Sequence, residues 1–86
     1  MPEISRFYGI VIYIHYSEHN PPHFHARYGK DKAIFSIKEL TLMEGKLPPR
    51  ATSHVLEWAF LNREELLKAW ELAEEKAPLN KIKGLA

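Results

Sequence analysis

Four histidines fall within eleven residues, at positions 15, 19, 23 and 25, on either side of Asn20-Pro21-Pro22. Imidazole titrates near neutral pH, gives and takes protons, and binds divalent metals through a ring nitrogen. The spacing His23-x-His25 carries the most information. Side chains two apart on a strand point the same way, so these two rings share a face. Arg27 continues that face, while Phe24, Ala26 and Tyr28 alternate onto the other.

Three chemistries fit this pattern. The first is metal binding, with His15, His23 and His25 as a facial set for zinc or another divalent transition metal. Against it, the residues after the pair, Ala26-Arg27-Tyr28-Gly29, offer no carboxylate, and the Arg27 charge repels a cation. The second is metal-independent acid–base cleavage of a phosphodiester, as in a small ribonuclease. His15, His23, His25 and Arg27 would be catalytic, with Tyr13, His19, Asn20 and Lys30 as binding neighbours and no cofactor. The third is a non-catalytic role, either structural or partner-binding, in which imidazoles near a turn satisfy backbone groups. His54 stands apart, and a solvated or half-buried helix position is expected for it.

The elements that must hold these residues read as strands first and helices second. Tyr8 to Tyr16 is rich in β-branched and aromatic residues, as a central strand requires. Ser17 to Pro22 is a turn, and His23 to Tyr28 alternates as a second strand. Gly29-Lys30-Asp31 is another turn, before a third strand from Lys32 to Lys38 and a short extended piece from Leu40 to Glu44. Opposed residues of an antiparallel pair share a face. Matching Ile10, Ile12 and Ile14 to Phe24, Ala26 and Tyr28 sets the parity, with Ile14 opposite Ala26 or Phe24. Tyr13 and His15 then share the outer face with His23, His25 and Arg27.

From Pro49 to Lys76 the apolar period becomes helical. Pro49 suits a first helical turn. Asn62 and Glu65 have capping-box spacing, and Leu61 and Leu66 stand at hydrophobic-staple positions, so a break into two helices is expected at Asn62. Trp58 and Trp70 lie on apolar stripes and are expected in the core. The second helical segment is acidic, which argues against a DNA-reading helix. Pro78 ends the pattern before a basic tail. The expected fold is α+β: one domain over residues 1–86, with an antiparallel sheet of three to four strands in 1–47, one or two helices in 48–77 and the tail in 78–86.

The bulk properties exclude more than they select. The chain has 86 residues, no cysteine and a net charge of +1. Disulfides and thiolate metal sites are therefore out, and a reducing cytoplasm is the expected location. The opening residues lack a secretory pattern, and the longest apolar run, Ile10 to Ile14, is too short for a bilayer, so no membrane partner is expected. Charge balance does not argue for nucleic acid, although RNA stays open as a partner of the histidine face. A domain this small buries only about 60–65% of its unfolded surface, so a partner subunit, such as a second copy, would help it.

Several stretches together resemble one family. They are Met1-Pro2-Glu3-Ile4-Ser5-Arg6-Phe7-Tyr8-Gly9-Ile10-Val11-Ile12, His19-Asn20-Pro21-Pro22-His23-Phe24-His25-Ala26, Glu44-Gly45-Lys46-Leu47-Pro48 and Glu65-Leu66-Leu67-x-x-Trp70. The pattern is similar to that of the domain of unknown function 4160 family across nearly the whole chain, and Pro-Pro-His-Phe-His is its specific part. The resemblance implies a small bacterial protein encoded beside a second small protein of the domain of unknown function 2442 type. It also implies a component of a toxin–antitoxin pair. It carries no established reaction and no catalytic residues.

Overall fold

In the computed structural model, residues 2–85 are described. Five strands form one antiparallel sheet in the order β1-β2-β3-β4-β5: β1 (Glu3–Phe7), β2 (Ile10–Tyr13), β3 (His23–Tyr28), β4 (Asp31–Ser36) and β5 (Leu42–Gly45). Two helices follow, α1 (Pro49–Leu61) and α2 (Arg63–Glu74). The α+β class stands, but the sheet has five strands where three or four were expected.

The additional strand arises at Tyr8-Gly9. Composition predicts one long strand starting at Tyr8, yet Tyr8 and Gly9 both take positive φ, 50° and 78°, and Phe7 pairs directly with Ile10. Two such residues make a tight hairpin loop of the primed type, whose twist suits the flanking strands. Gly9 adopts that conformation freely. Tyr8 does not: a side chain in the left-handed region costs about 1–2 kcal/mol.

The register of β2 on β3 pairs Ile10 with Tyr28, Val11 with Arg27, Ile12 with Ala26 and Tyr13 with His25. Ala26 is thus taken by Ile12, and Ile14 lies toward Phe24. The inner face is apolar: Ile10, Ile12, Phe24, Ala26, Ala33 and Phe35 join the core that the helices cover. Across the outer face, one row reads Glu3, Tyr13, His25, Ile34 and Glu44. The next row reads Arg6, Val11, Arg27 and Lys32.

Both helices bury a narrow stripe, Ala51, Val55, Trp58 and Ala59 on α1 and Leu66, Ala69, Trp70 and Ala73 on α2. The break at Asn62 is present, but the capping box is not. Asn62 has φ −125° and ψ 26°, not the extended backbone of a usual N-cap. Its side-chain amide donates instead to the Trp58 carbonyl at 2.8 Å, so it closes the end of α1. Leu61 is 65% exposed, so it does not form a buried staple with Leu66.

Trp58 anchors the core, its ring against Phe7 and Phe24. Its indole N–H donates to the Lys83 carbonyl at 2.8 Å, and the Ile82 N–H donates to the Ile4 carbonyl at 2.7 Å. The tail is therefore strapped beside β1, with Ile82 buried. Among the described residues, no helix is long and apolar enough to cross a membrane.

Candidate metal centre

The centre lies at the end of the sheet where β3 begins. β3 holds His23 and His25 on the outer face, and the loop from β2 returns over them. Within that loop, Glu18 puts one carboxylate oxygen, Oε1, 3.1 Å from His23 Nε2 and 2.8 Å from His25 Nε2. The other ring nitrogen of His23, Nδ1, lies 2.8 Å from the Pro21 carbonyl. That carbonyl only accepts, so His23 Nδ1 carries the hydrogen and donates it.

This bond decides the chemistry of the opposite nitrogen. In neutral His23, Nε2 is then a bare lone pair aimed at a carboxylate oxygen. Two acceptors at this distance repel unless positive charge sits between them. A second proton on the ring supplies that charge, and so does a metal ion. An Nδ1–H held by a backbone carbonyl is also the usual outer support of a metal-ligating imidazole, because it sets tautomer and ring orientation.

Glu18, His23 and His25 each offer one ligand atom, and these atoms lie within 4.8 Å of one another. Metal bonds of about 2.0–2.2 Å put ligand atoms about 3.3 Å apart around a tetrahedral ion; the two Glu18–His separations are already near that value, while all three atoms lie within 4.8 Å. The His23 and His25 side chains are largely buried, and Glu18 is more open to solvent. Burial pushes the Glu18 carboxyl up, but the hydrogen bond from His25 and the positive charge of His25 and His23 outweigh it. Glu18 is held below its ordinary value.

Around this centre the rings pack closely. Tyr13 stacks on His25 with centroids 5.0 Å apart, and His15 meets His25 edge-on at 4.5 Å. Burial, followed by the nearby His25 charge, pushes the His15 pKa down and favours its neutral form. On the far side, the His23 ring lies 4.9 Å from Trp70 of α2. A depression of about 320 Å³ opens beside the centre, lined by Glu18, His19, Asn20, Pro21, His23 and Met43 among others. A second, of about 170 Å³, reaches from Tyr13 and His25 to Lys32 and shares Ile34 and Glu44 with the first.

Of the residues singled out in the sequence, His23 and His25 converge. His15 and Tyr13 are their ring neighbours, and His15 does not supply a converging ligand atom. His19 and Asn20 line the adjoining depression. Arg27 lies one row away, opposite Val11 and Lys32, where its charge reaches Glu3. Lys30 is in the turn at the opposite end of β3. His54 is half-buried on α1.

Glu18 is the residue that the spacing argument missed. A carboxylate is expected after a His-x-His pair, and Glu18 instead precedes His23 and His25 by five and seven residues. Its only sequence signal was the Asn20-Pro21-Pro22 turn between, which can fold a preceding side chain back over the strand.

The fold and this centre define a small α+β domain with a His/His/Glu cluster on a sheet face. The family described as Domain of unknown function (DUF4160) matches residues 9–71, and the chain belongs to that family. Comparison with curated proteins and with solved structures gives no significant match.

Proposed function

We propose that this chain is a divalent-metal-binding domain, holding a zinc-class ion through Glu18 Oε1, His23 Nε2 and His25 Nε2. The observation that carries the reading is the Pro21–His23 hydrogen bond, which leaves the inward nitrogen of neutral His23 a lone pair facing a carboxylate oxygen, a pair that a metal ion joins without protonation of the ring. Two imidazoles and one carboxylate suit zinc, iron or nickel, and three protein ligands leave a position for water or substrate. An ion so held supplies a water that ionises near neutral pH. The ligands' share is orientation: β3 aims both rings, and Pro21 and Tyr13 keep His23 and His25 from turning.

Calorimetric titration of tag-free, chelator-treated protein with zinc or nickel tests this. The expected result is one ion per chain, bound more tightly than about 1 μM. Glu18→Ala and His25→Ala should each weaken binding by at least about tenfold. Wild-type affinity weaker than micromolar, or affinity untouched by both changes, would sink the reading.

RNA is the substrate class to try first. Arg27 stands directly opposite Lys32, in the row that also holds Arg6. Like charges opposed across strands are unfavourable, and a phosphate between them relieves the repulsion. Expression in bacteria of wild type and of the His23→Ala/His25→Ala variant tests this and the toxin role together. Slowed growth and cleaved RNA with wild type alone support it; equal growth with intact RNA removes it. A small partner protein of the kind implied by the family resemblance has a surface available at β5. All four β5 residues are exposed there, Leu42 and Met43 among them. Co-purification with the neighbouring gene product checks that role.

A further inference from the structure

We propose a second ligand site at the opposite end of the sheet, for a small planar ring carrying an anionic group. It stands independently of the metal reading. A cavity of about 190 Å³ opens there, floored by Ile10 and Ala51, walled by Tyr8 and Tyr28, with Arg50 and His54 at its rim. An apolar cavity of about 150 Å³ is enough for benzene, so this one admits a six-membered ring with a substituent.

Tyr8 is the informative wall. It occupies the first position of the Tyr8-Gly9 turn at φ 50°, where asparagine is the residue a primed turn prefers. The residue is 53% exposed, and its ring touches the core only at its margin, edge-on to Phe7 with centroids 6.3 Å apart. The turn conformation thus disfavours tyrosine and most of the residue lies outside the core, whereas a stacking surface gives tyrosine a use here. The ring lies 4.7 Å from that of His54, centroid to centroid, and Tyr28 offers a second half-open aromatic face.

Arg50 supplies the charge. Among the described residues it makes no ion pair and no side-chain hydrogen bond, and neither does His54. A guanidinium left free beside two aromatic walls matches a carboxylate or phosphate attached to a ring, since it binds such groups through two parallel hydrogen bonds. Two sources of that chemistry exist, a nucleotide and an aromatic acid.

Titration of the full chain, followed through its amide NMR signals, tests the site and separates the sources. The probes are adenosine monophosphate and 4-hydroxybenzoate, with adenosine and inorganic phosphate as controls for ring alone and anion alone. We expect the amides of Gly9, Ala51 and His54 to shift and saturate with at least one probe below about 10 mM. Both controls should bind at least about tenfold more weakly. Tyr8→Asn and Arg50→Gln should each weaken the probe by about tenfold or more. Tyr8→Asn makes the favoured turn dipeptide, so its melting temperature should not fall and lost binding is not lost folding. Glu18→Ala should leave the probe's affinity unchanged. Saturation by only one probe supports the site and names its source. No saturation by either, equal binding in both variants, or phosphate alone binding as well as the probe would each overturn the proposal.

Discussion

The two ends of the sheet use similar residues in opposite ways. Each joins histidine to tyrosine beside a turn. At the β3 start the polar atoms converge: the Pro21 carbonyl accepts from His23 Nδ1, and Glu18 Oε1 lies between His23 Nε2 and His25 Nε2, where one positive charge completes the set. At the Tyr8-Gly9 turn, Tyr8 and His54 meet only as rings, and Arg50 has no partner among the described residues. The difference follows from burial. Polar atoms shielded from water must be hydrogen-bonded, so the largely buried histidines come with a built-in acceptor. The exposed rim has water as a partner and can stay open. A pre-wired cluster suits a guest with little more than charge, such as an ion. An open rim suits a guest that brings its own acceptors and a flat face.

The largest effect is expected where both ends depend on the same support. Trp58→Ala should lose about 3–5 kcal/mol in urea unfolding, because the ring is fully buried against Phe7 and Phe24. A loss below about 1 kcal/mol would mean that the ends are held up some other way.

Glu18→Ala separates the ends. It strips largely buried His25 of its acceptor, and His23 of the same one whenever that ring carries its second proton, and a loss of about 1–3 kcal/mol is expected in chelator-treated protein. The rise in melting temperature with added zinc should vanish as well. A variant as stable as wild type that still responds to zinc would make Glu18, His23 and His25 an ordinary surface cluster.

Acid should act on the same end in two windows. Burial favours neutral His15 in the fold, so its contribution is complete above the ordinary value of 6.5 and lost as pH falls below it. Glu18 is held charged by His25 and His23 against its own burial. Its contribution is complete above 4.5 and lost as pH falls through the lower folded value. Urea unfolding of chelator-treated protein along a pH series should show both declines. His15→Gln should flatten the upper one and Glu18→Gln the lower. Unchanged profiles in these variants would assign acid sensitivity elsewhere.

The smallest effect belongs to the turn end. Tyr8→Asn should raise stability by about 1 kcal/mol, or about 4–8 °C in melting temperature, and leave zinc affinity untouched. A fall in melting temperature would show that the Tyr8 ring supports the fold after all.

Much of the loop end was legible in the residues. Period-two alternation put His23 and His25 on one face, and matching isoleucines to Phe24 and Ala26 put Tyr13 beside them. The register pairs Tyr13 with His25 accordingly. Less of the turn end was legible. Tyr8-Gly9 carries no strong turn signature, because tyrosine is an unusual residue for positive φ. The apolar run after it therefore read as a single longer strand. The Asn62–Glu65 spacing misled for a related reason: a side chain that can cap one helix can instead close the helix before it, and only the backbone angles at Asn62 choose.

What the sequence alone determined is local and periodic: strands before helices, an apolar inner face, two tryptophans in the core and a histidine pair on the outer face. These follow from side-chain direction along a strand or helix and need no distant contact. The tertiary structure decided which groups meet across the chain. It folded Glu18 back onto the histidines and brought Tyr8, Tyr28 and Arg50 around one cavity. Such meetings depend on loop paths and strand order, which hydrophobic spacing does not encode.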